Sequence, residues 1–237
     1  MLTTAGLILQ HEDEGPAARF ADWLVARGLP FEVHRAGEGP LPDPREFSFV
    51  ATLGSERSAA ETDGWVPEEI AMLRQAIAAE VPVLGMCFGG QALSVALGGG
   101  VEVMDVPEVG WVELEILDAA IPQGRWLQYH HDRIELPPGA RELARSPAGP
   151  AAFEFGRHLG LQFHPEADGE IADVWARADP RLHEAGVTVQ ELAEQSAEFS
   201  APALDQAYRL FDRWHETVLD GRLRSQGRVR GARSARR

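Results

Sequence analysis

Val-Pro-Val-Leu-Gly-Met-Cys-Phe-Gly-Gly-Gln-Ala-Leu-Ser-Val-Ala-Leu-Gly-Gly occupies residues 81–99. An apolar run at 81–84 leads through Gly85-Met86-Cys87-Phe88-Gly89 into Ala92, Leu93, Ala96 and Leu97, which are spaced as on one face of a helix. The order is strand, sharp turn, helix. Gly-x-Cys-x-Gly is the cysteine form of a nucleophile elbow, in which small residues on either side let the backbone bend tightly and expose the central side chain. The sulfur then lies at a helix N-terminus, where unpaired N–H groups and the helix dipole favour negative charge. A lone cysteine in an apolar segment is most often a small core residue. A core cysteine, however, needs no glycine two residues before and after it, whereas a nucleophile on a strained turn does. Cys87 is therefore the candidate nucleophile, and it is the one cysteine of 237 residues.

Upstream of the elbow the chain alternates between two periodicities. Residues 3–10, 31–35, 47–53 and 81–84 are short apolar runs suited to parallel strands. Between them, Phe20, Trp23 and Leu24 mark a helix that starts near Gly15-Pro16 and stops at Gly28, and Ile70, Leu73 and Ile77 mark a second over 65–80. This alternation predicts an α/β fold with a mostly parallel sheet, whose ligands gather at the carboxyl ends of the strands. Cys87 and the pair Gly54-Ser55 both lie at such ends. Downstream the pattern changes to short strands at 101–104, 110–117, 126–136, 141–144, 151–155 and 158–164 with Pro and Gly between them, an antiparallel extension carried on the same sheet. Residues 171–178 are predicted helical, and 188–219 are predicted to form two terminal helices interrupted near Ser200-Ala201-Pro202.

Composition narrows the possibilities. There is no charged leader followed by an apolar segment at the start and no run of about 18 apolar residues, so the sequence reads as soluble and cytoplasmic, without a membrane partner. One cysteine cannot form an internal disulfide, which agrees with a reducing compartment. All 22 basic residues are Arg, and the absence of Lys excludes Schiff-base chemistry and a P-loop lysine. The net charge of −15 divides into about −22 for residues 1–220 and +7 for residues 221–237, which carry seven Arg and no acid. So acidic a body argues against a nucleic-acid partner, and the Arg-rich end reads as a disordered, solvated tail.

A second chemical cluster is Phe163-His164-Pro165-Glu166. On an extended segment residues i and i+2 face the same way, so His164 and Glu166 project together. A base beside a carboxylate is what a cysteine nucleophile requires: His164 takes the thiol proton and later returns it to the leaving amine, while Glu166 orients the imidazole. The adjacent His130 and His131 do not suggest a metal, because neighbours on a strand face opposite sides and no further ligand stands at a suitable spacing.

Leu84-Gly85-Met86-Cys87-Phe88-Gly89-Gly90-Gln91 and Phe163-His164-Pro165-Glu166 resemble the two signatures of the class I, triad-type glutamine amidotransferases. The resemblance extends to Leu53-Gly54-Ser55-Glu56-Arg57-Ser58, Glu108-Val109-Gly110-Trp111 and Tyr129-His130-His131-Asp132, covering about residues 1–175 in order. It is strongest to stand-alone proteins similar to the glutaminase domain of GMP synthase. It implies a flavodoxin-like α/β domain over residues 1–185, with a helical extension packed on it at 186–220 and the tail at 221–237. It also implies hydrolysis of the glutamine side-chain amide through a γ-glutamyl thioester on Cys87, with His164 as base and acid, Glu166 as its orienter, and no cofactor or metal. Gly54, Ser55 and Phe88 match the oxyanion hole; Gln91, His130, His131 and Asp132 match the substrate-binding positions. Two departures stand out: Ser55 and His131 occupy places where the family commonly has glycine.

Three functional readings follow. The chain is a glutaminase that supplies ammonia to a partner synthase; or a self-contained hydrolase or transferase of γ-glutamyl conjugates; or a non-catalytic regulatory or binding subunit, against which the complete triad counts.

Overall fold

The computed structural model describes residues 4–234, with side chains as far as Glu216. Five strands, β1 (Gly6–Gln10), β2 (Phe31–Arg35), β3 (Val50–Thr52), β4 (Val83–Met86) and β10 (His158–Leu161), form the parallel part of an eight-stranded sheet. Three further strands, β6 (Glu115–Ile116), β8 (Arg141–Ser146) and β9 (Gly149–Phe155), continue it antiparallel, giving the order β2-β1-β3-β4-β10-β9-β8-β6. The parallel strands β1, β3 and β4 are buried almost throughout, which is why their sequences are continuous apolar runs rather than alternating ones.

Helices cover both faces. α1 (Ala18–Ala26) and α5 (Val189–Ser234) pack on one side, where Phe20, Trp23, Phe211 and Trp214 close over Ile8, Phe49 and Ala51. α2 (Val66–Ala78) and α3 (Phe88–Ala96) pack on the other, burying Ile70, Leu73 and Leu93 against Leu7, Val50 and Val83. The apolar stripes legible in the sequence are thus the faces that meet the sheet. The short helix α4 (Gly169–Ala178) starts at Asp168, whose side chain accepts from the Glu170 and Ile171 N–H groups.

Two expectations need correction. The antiparallel extension is not all on the main sheet: β5 (Gly100–Glu113) and β7 (Arg125–Glu135) form a separate two-stranded sheet. β5 runs on through the gap expected between 104 and 110, because a bulge absorbs the mismatch. Val103 pairs with Asp132 and Glu108 with His130, so residues 104–107 stand opposite His131 alone. Nor are there two terminal helices, since α5 continues through Pro202. Proline removes one backbone donor at that point. The loss is offset by buried Ala203, Ala207, Leu210 and Phe211, and by Arg19, which donates to the Ser200 carbonyl and hydroxyl at 2.8 Å each. The α5 backbone extends to Ser234; the expectation of a disordered, solvated tail at 221–237 falls beyond the described side chains and stands as a proposal.

Candidate active site

Adjacent strands β1, β3, β4 and β10 end at one edge of the sheet, and each delivers a residue there. His11 follows β1, Gly54 lies two residues past β3, Cys87 follows β4 and His164 lies three residues past β10. This is the carboxyl edge at which open α/β sheets bind ligands.

Cys87 has φ 52° and ψ −112°, a conformation that costs a residue with a side chain about 1–3 kcal/mol and persists only where its surroundings enforce it. Here its N–H donates to the Leu161 carbonyl at 2.9 Å, and the Gly89 N–H donates to the Leu53 carbonyl at 3.0 Å. The elbow is thereby tied to the ends of both neighbouring strands. A side chain at 89 is excluded, since its Cβ would lie 2.1 Å from the Thr52 carbonyl oxygen. Cys87 is 5% exposed, and its sulfur lies 3.7 Å from the Tyr129 carbonyl oxygen, which can accept from it only while it is a thiol.

His164 is held by its N–H, which donates to the Leu127 carbonyl at 2.9 Å, and by its Nδ1, 2.7 Å from Glu166 Oε1. The predicted i, i+2 pairing of these side chains is thus observed. Both are buried. Nε2 makes no hydrogen bond of good geometry among the described residues. Burial by itself lowers the His164 pKa, but the Cys87 sulfur and the Glu166 carboxylate outweigh it and hold the imidazole well above its ordinary value. The imidazole therefore keeps its proton to higher pH than a free histidine does.

Gly54 approaches this pair with a bare Cα: a Cβ there would stand 2.9 Å from His164 Cε1 and 3.7 Å from Cys87 Cβ. The Phe88 N–H, first of α3, has no acceptor within its own helix. Two backbone turns therefore converge beside the sulfur. Ser55 turns its hydroxyl to Glu12 Oε1 at 2.7 Å.

The four residues matched to substrate binding divide. Gln91 donates to the Asp132 carbonyl at 3.0 Å, and Asp132 accepts from the Ser58 hydroxyl, so both tie the elbow helix and the turn after β3 to β7. His130 is buried, with Nδ1 2.8 Å from the Asp132 carbonyl and Nε2 3.0 Å from Glu108, which also accepts from Ser146 at 2.8 Å. His131 is on the opposite face, part-exposed, 3.6 Å from Asp179. Tyr129 donates its hydroxyl to the same carboxylate at 3.1 Å, and burial followed by the Asp179 charge raises its pKa, so it remains a donor.

Sequence reasoning missed several neighbours of the site. Trp175 packs on the His164 ring at 4.7 Å and donates its indole N–H to the Glu14 carbonyl at 2.8 Å. Asp179 lies outside every motif, and Tyr129, though part of the matched segment 129–132, has no role assigned from the sequence. His11, buried behind the Gly54 turn, had a usable signal: it directly follows a buried parallel strand. Among the described residues no group of three or more His, Cys, Asp or Glu side chains is arranged to hold a metal, and no helix is long and apolar enough to cross a membrane.

The sequence model of the family described as "Glutamine amidotransferase class-I" matches residues 54–174, a span that contains Gly54, Cys87, His164 and Glu166. The chain belongs to that family. Among its relatives, the chain is 40% identical over 130 residues to the GMP synthase [glutamine-hydrolyzing] of Aeropyrum pernix, covering 48% of this chain and 25% of that protein. It is 34% identical over 171 residues to the corresponding protein of Alkalilimnicola ehrlichii, covering 60% of this chain and 31% of the other. The chain thus spans less than a third of the curated relatives it matches. The crystal structure of a glutamine amido transferase from Methylobacillus flagellatus superposes with a TM-score of 0.82 at 26% identity, over 92% of this chain and 96% of that one. A glutamine amidotransferase from Thermotoga maritima shares the fold, with a TM-score of 0.79 at 23% identity over 90% and 99% of the two chains.

Proposed function

We propose that the chain hydrolyses the side-chain amide of glutamine through a γ-glutamyl thioester on Cys87. The observation that carries this reading is the strained elbow cysteine set beside a buried His164–Glu166 pair. The Cys87 sulfur, its proton taken by His164, attacks the amide carbon, and the oxygen that becomes negative is received by backbone N–H groups of Phe88 and of the Gly54-Ser55 turn. His164 then gives its proton to the amide nitrogen, the C–N bond breaks, and ammonia leaves. A water molecule attacks the thioester, loses a proton to His164, and the tetrahedral adduct collapses to glutamate while the sulfur regains its proton. Glu166 keeps the imidazole oriented and stabilises its charged form throughout.

Ammonia then passes to an acceptor on a partner synthase. The named activity of the relatives supports this reading, as does the chain's match to under a third of each, since whatever else those proteins contain lies outside the match. His131 and Asp179 favour a second reading, in which the leaving amine carries a larger group and the substrate is a γ-glutamyl conjugate: a part-exposed imidazole and a carboxylate stand 3.6 Å apart next to Tyr129, whose carbonyl contacts the sulfur.

Ammonia release from L-glutamine, compared with amine release from a panel of γ-glutamyl amines and repeated with Cys87→Ala, tests both. Turnover of glutamine that disappears in C87A supports the first; turnover of a γ-glutamyl amine alone supports the second. Mass spectrometry of an acid-quenched reaction tests the thioester directly, as a γ-glutamyl adduct on the peptide containing Cys87. Persistence of activity in C87A overturns the mechanism.

A further inference from the structure

Behind the turn after β3 lies a buried polar relay that the mechanism above does not use. His11 and Glu69 have fully buried side chains 2.8 Å apart, and Glu69 also accepts from the Thr52 hydroxyl at 2.6 Å. The other ring nitrogen of His11, Nδ1, is 2.9 Å from the Gly54 carbonyl oxygen. A carbonyl only accepts, so Nδ1 carries a proton and donates it. The ring stacks on Trp65 at 4.6 Å and meets the Phe88 ring edge-on at 5.0 Å, so it contacts the Gly54 carbonyl on one side and the Phe88 side chain on the other.

We propose that His11 is a positioning residue for amide hydrolysis: its Nδ1–H, bonded to the Gly54 carbonyl, fixes the Gly54–Ser55 peptide so that the Ser55 N–H serves the oxyanion. In a planar trans peptide the C=O and the following N–H point in opposite directions. Locking the carbonyl towards His11 therefore sends the Ser55 N–H to the other side of the turn. Gly54 itself adjoins Cys87 and His164. A purely structural role accounts poorly for this choice of residues, because a buried ion pair is seldom more stabilising than apolar side chains of the same volume. Its worth here is direction. Burial lowers the His11 pKa, but the charge and hydrogen bond of Glu69, with the Gly54 carbonyl and Glu12, raise it overall, so the donor persists at neutral pH.

The inference rests on the hydrolase reading, and its test separates the two. In His11→Asn the side-chain amide nitrogen takes the place of Nδ1; in His11→Gln it takes the place of Nε2 and cannot reach the carbonyl in the same way. Each variant is assayed for kcat and KM with the amide substrate that the native chain turns over, and for alkylation of Cys87 by iodoacetamide, a displacement that forms no oxyanion. The expected result is a kcat for H11Q about ten- to a hundredfold below native, with KM and the alkylation rate little changed, and substantial recovery in H11N. Equal kcat in H11N and H11Q, whether both high or both low, overturns the positioning role. If H11Q does not fold, His11→Phe replaces it as the variant without a donor and must again fall below H11N. If H11N does not fold, H11Q must still lose about ten- to a hundredfold in kcat at an unchanged alkylation rate, and a near-native kcat overturns the role. A native chain silent on every γ-glutamyl amide overturns the hydrolase reading, and the role of His11 in catalysis with it.

Discussion

Replacing Glu166 by Gln isolates the charge of the carboxylate from its hydrogen bond. The Gln side-chain oxygen still accepts from His164 Nδ1, which now lies 2.7 Å from Glu166 Oε1, so the tautomer and ring orientation are retained while the negative charge is lost. Both partners are at most 4% exposed, so solvent screens the pair little. With the charge centres about 4 Å apart and an effective dielectric of about 20, the lost attraction is at most about 4 kcal/mol, or about a thousandfold in rate. Glu166 Oε2 makes no hydrogen bond among the described residues, so the substitution removes no second bond and the effect reports the charge. Ammonia release is thus expected to fall by about ten- to a thousandfold in kcat, with KM changed by no more than a few-fold. The pH profile gives a second readout. The charges of Cys87 and Glu166 raise the His164 pKa against the effect of burial, so the imidazolium survives to higher pH than a free histidine. Removing one charge moves the loss of that proton, and with it the alkaline limb of the profile, to lower pH. Activity within about threefold of native, together with an unmoved alkaline limb, refutes this reasoning.

Three further outcomes are expected. Gly89→Ala forces a Cβ to 2.1 Å from the Thr52 carbonyl oxygen, with backbone on both sides unable to yield; it should cost about 3 kcal/mol or more of stability in urea denaturation and lower ammonia release. His158 has its pKa lowered to about 4, first by burial and then by Arg157, against an ordinary value of 6.5. The unfolded chain therefore takes up a proton that the native one refuses as pH falls through that window, which costs the native state up to about 3 kcal/mol; His158→Gln should lose correspondingly less stability between neutral pH and about pH 4. Phe211 is fully buried on α5 with its ring 5.0 Å from Phe20 and 5.7 Å from Trp23, so Phe211→Ala should cost about 3–5 kcal/mol; a loss below about 1 kcal/mol would mean that the terminal helix is not part of the cooperative unit.

The sequence exposed those features of the site in which a local backbone rule is broken. Glycines around Cys87 have no use in a core strand, and the elbow is found where they stand, at φ 52°. The two-residue spacing of His164 and Glu166 has one geometric meaning on extended backbone, and the pair is formed. Choices that depend on register were not legible. Strand parity says that His130 and His131 face opposite ways, but which of them turns inward is set by Glu108, across the bulge that places residues 104–107 opposite His131. The buried imidazole went to the partner that could satisfy it, and the part-exposed one was left beside Asp179. Pro202 misled for a related reason: it removes one helical hydrogen bond, whereas a buried stripe from Ala203 to Trp214 and two bonds from Arg19 act on the same segment, and the larger sum keeps α5 continuous. His11 lies between these cases. Its place after a parallel strand put it at the reactive edge, as the same reasoning had for Cys87. Its bond to the Gly54 carbonyl, however, spans 43 positions and exists only once β1 and β3 are paired. Sheet pairing, by setting β1 against β3, turns a histidine without a motif into a neighbour of the oxyanion turn.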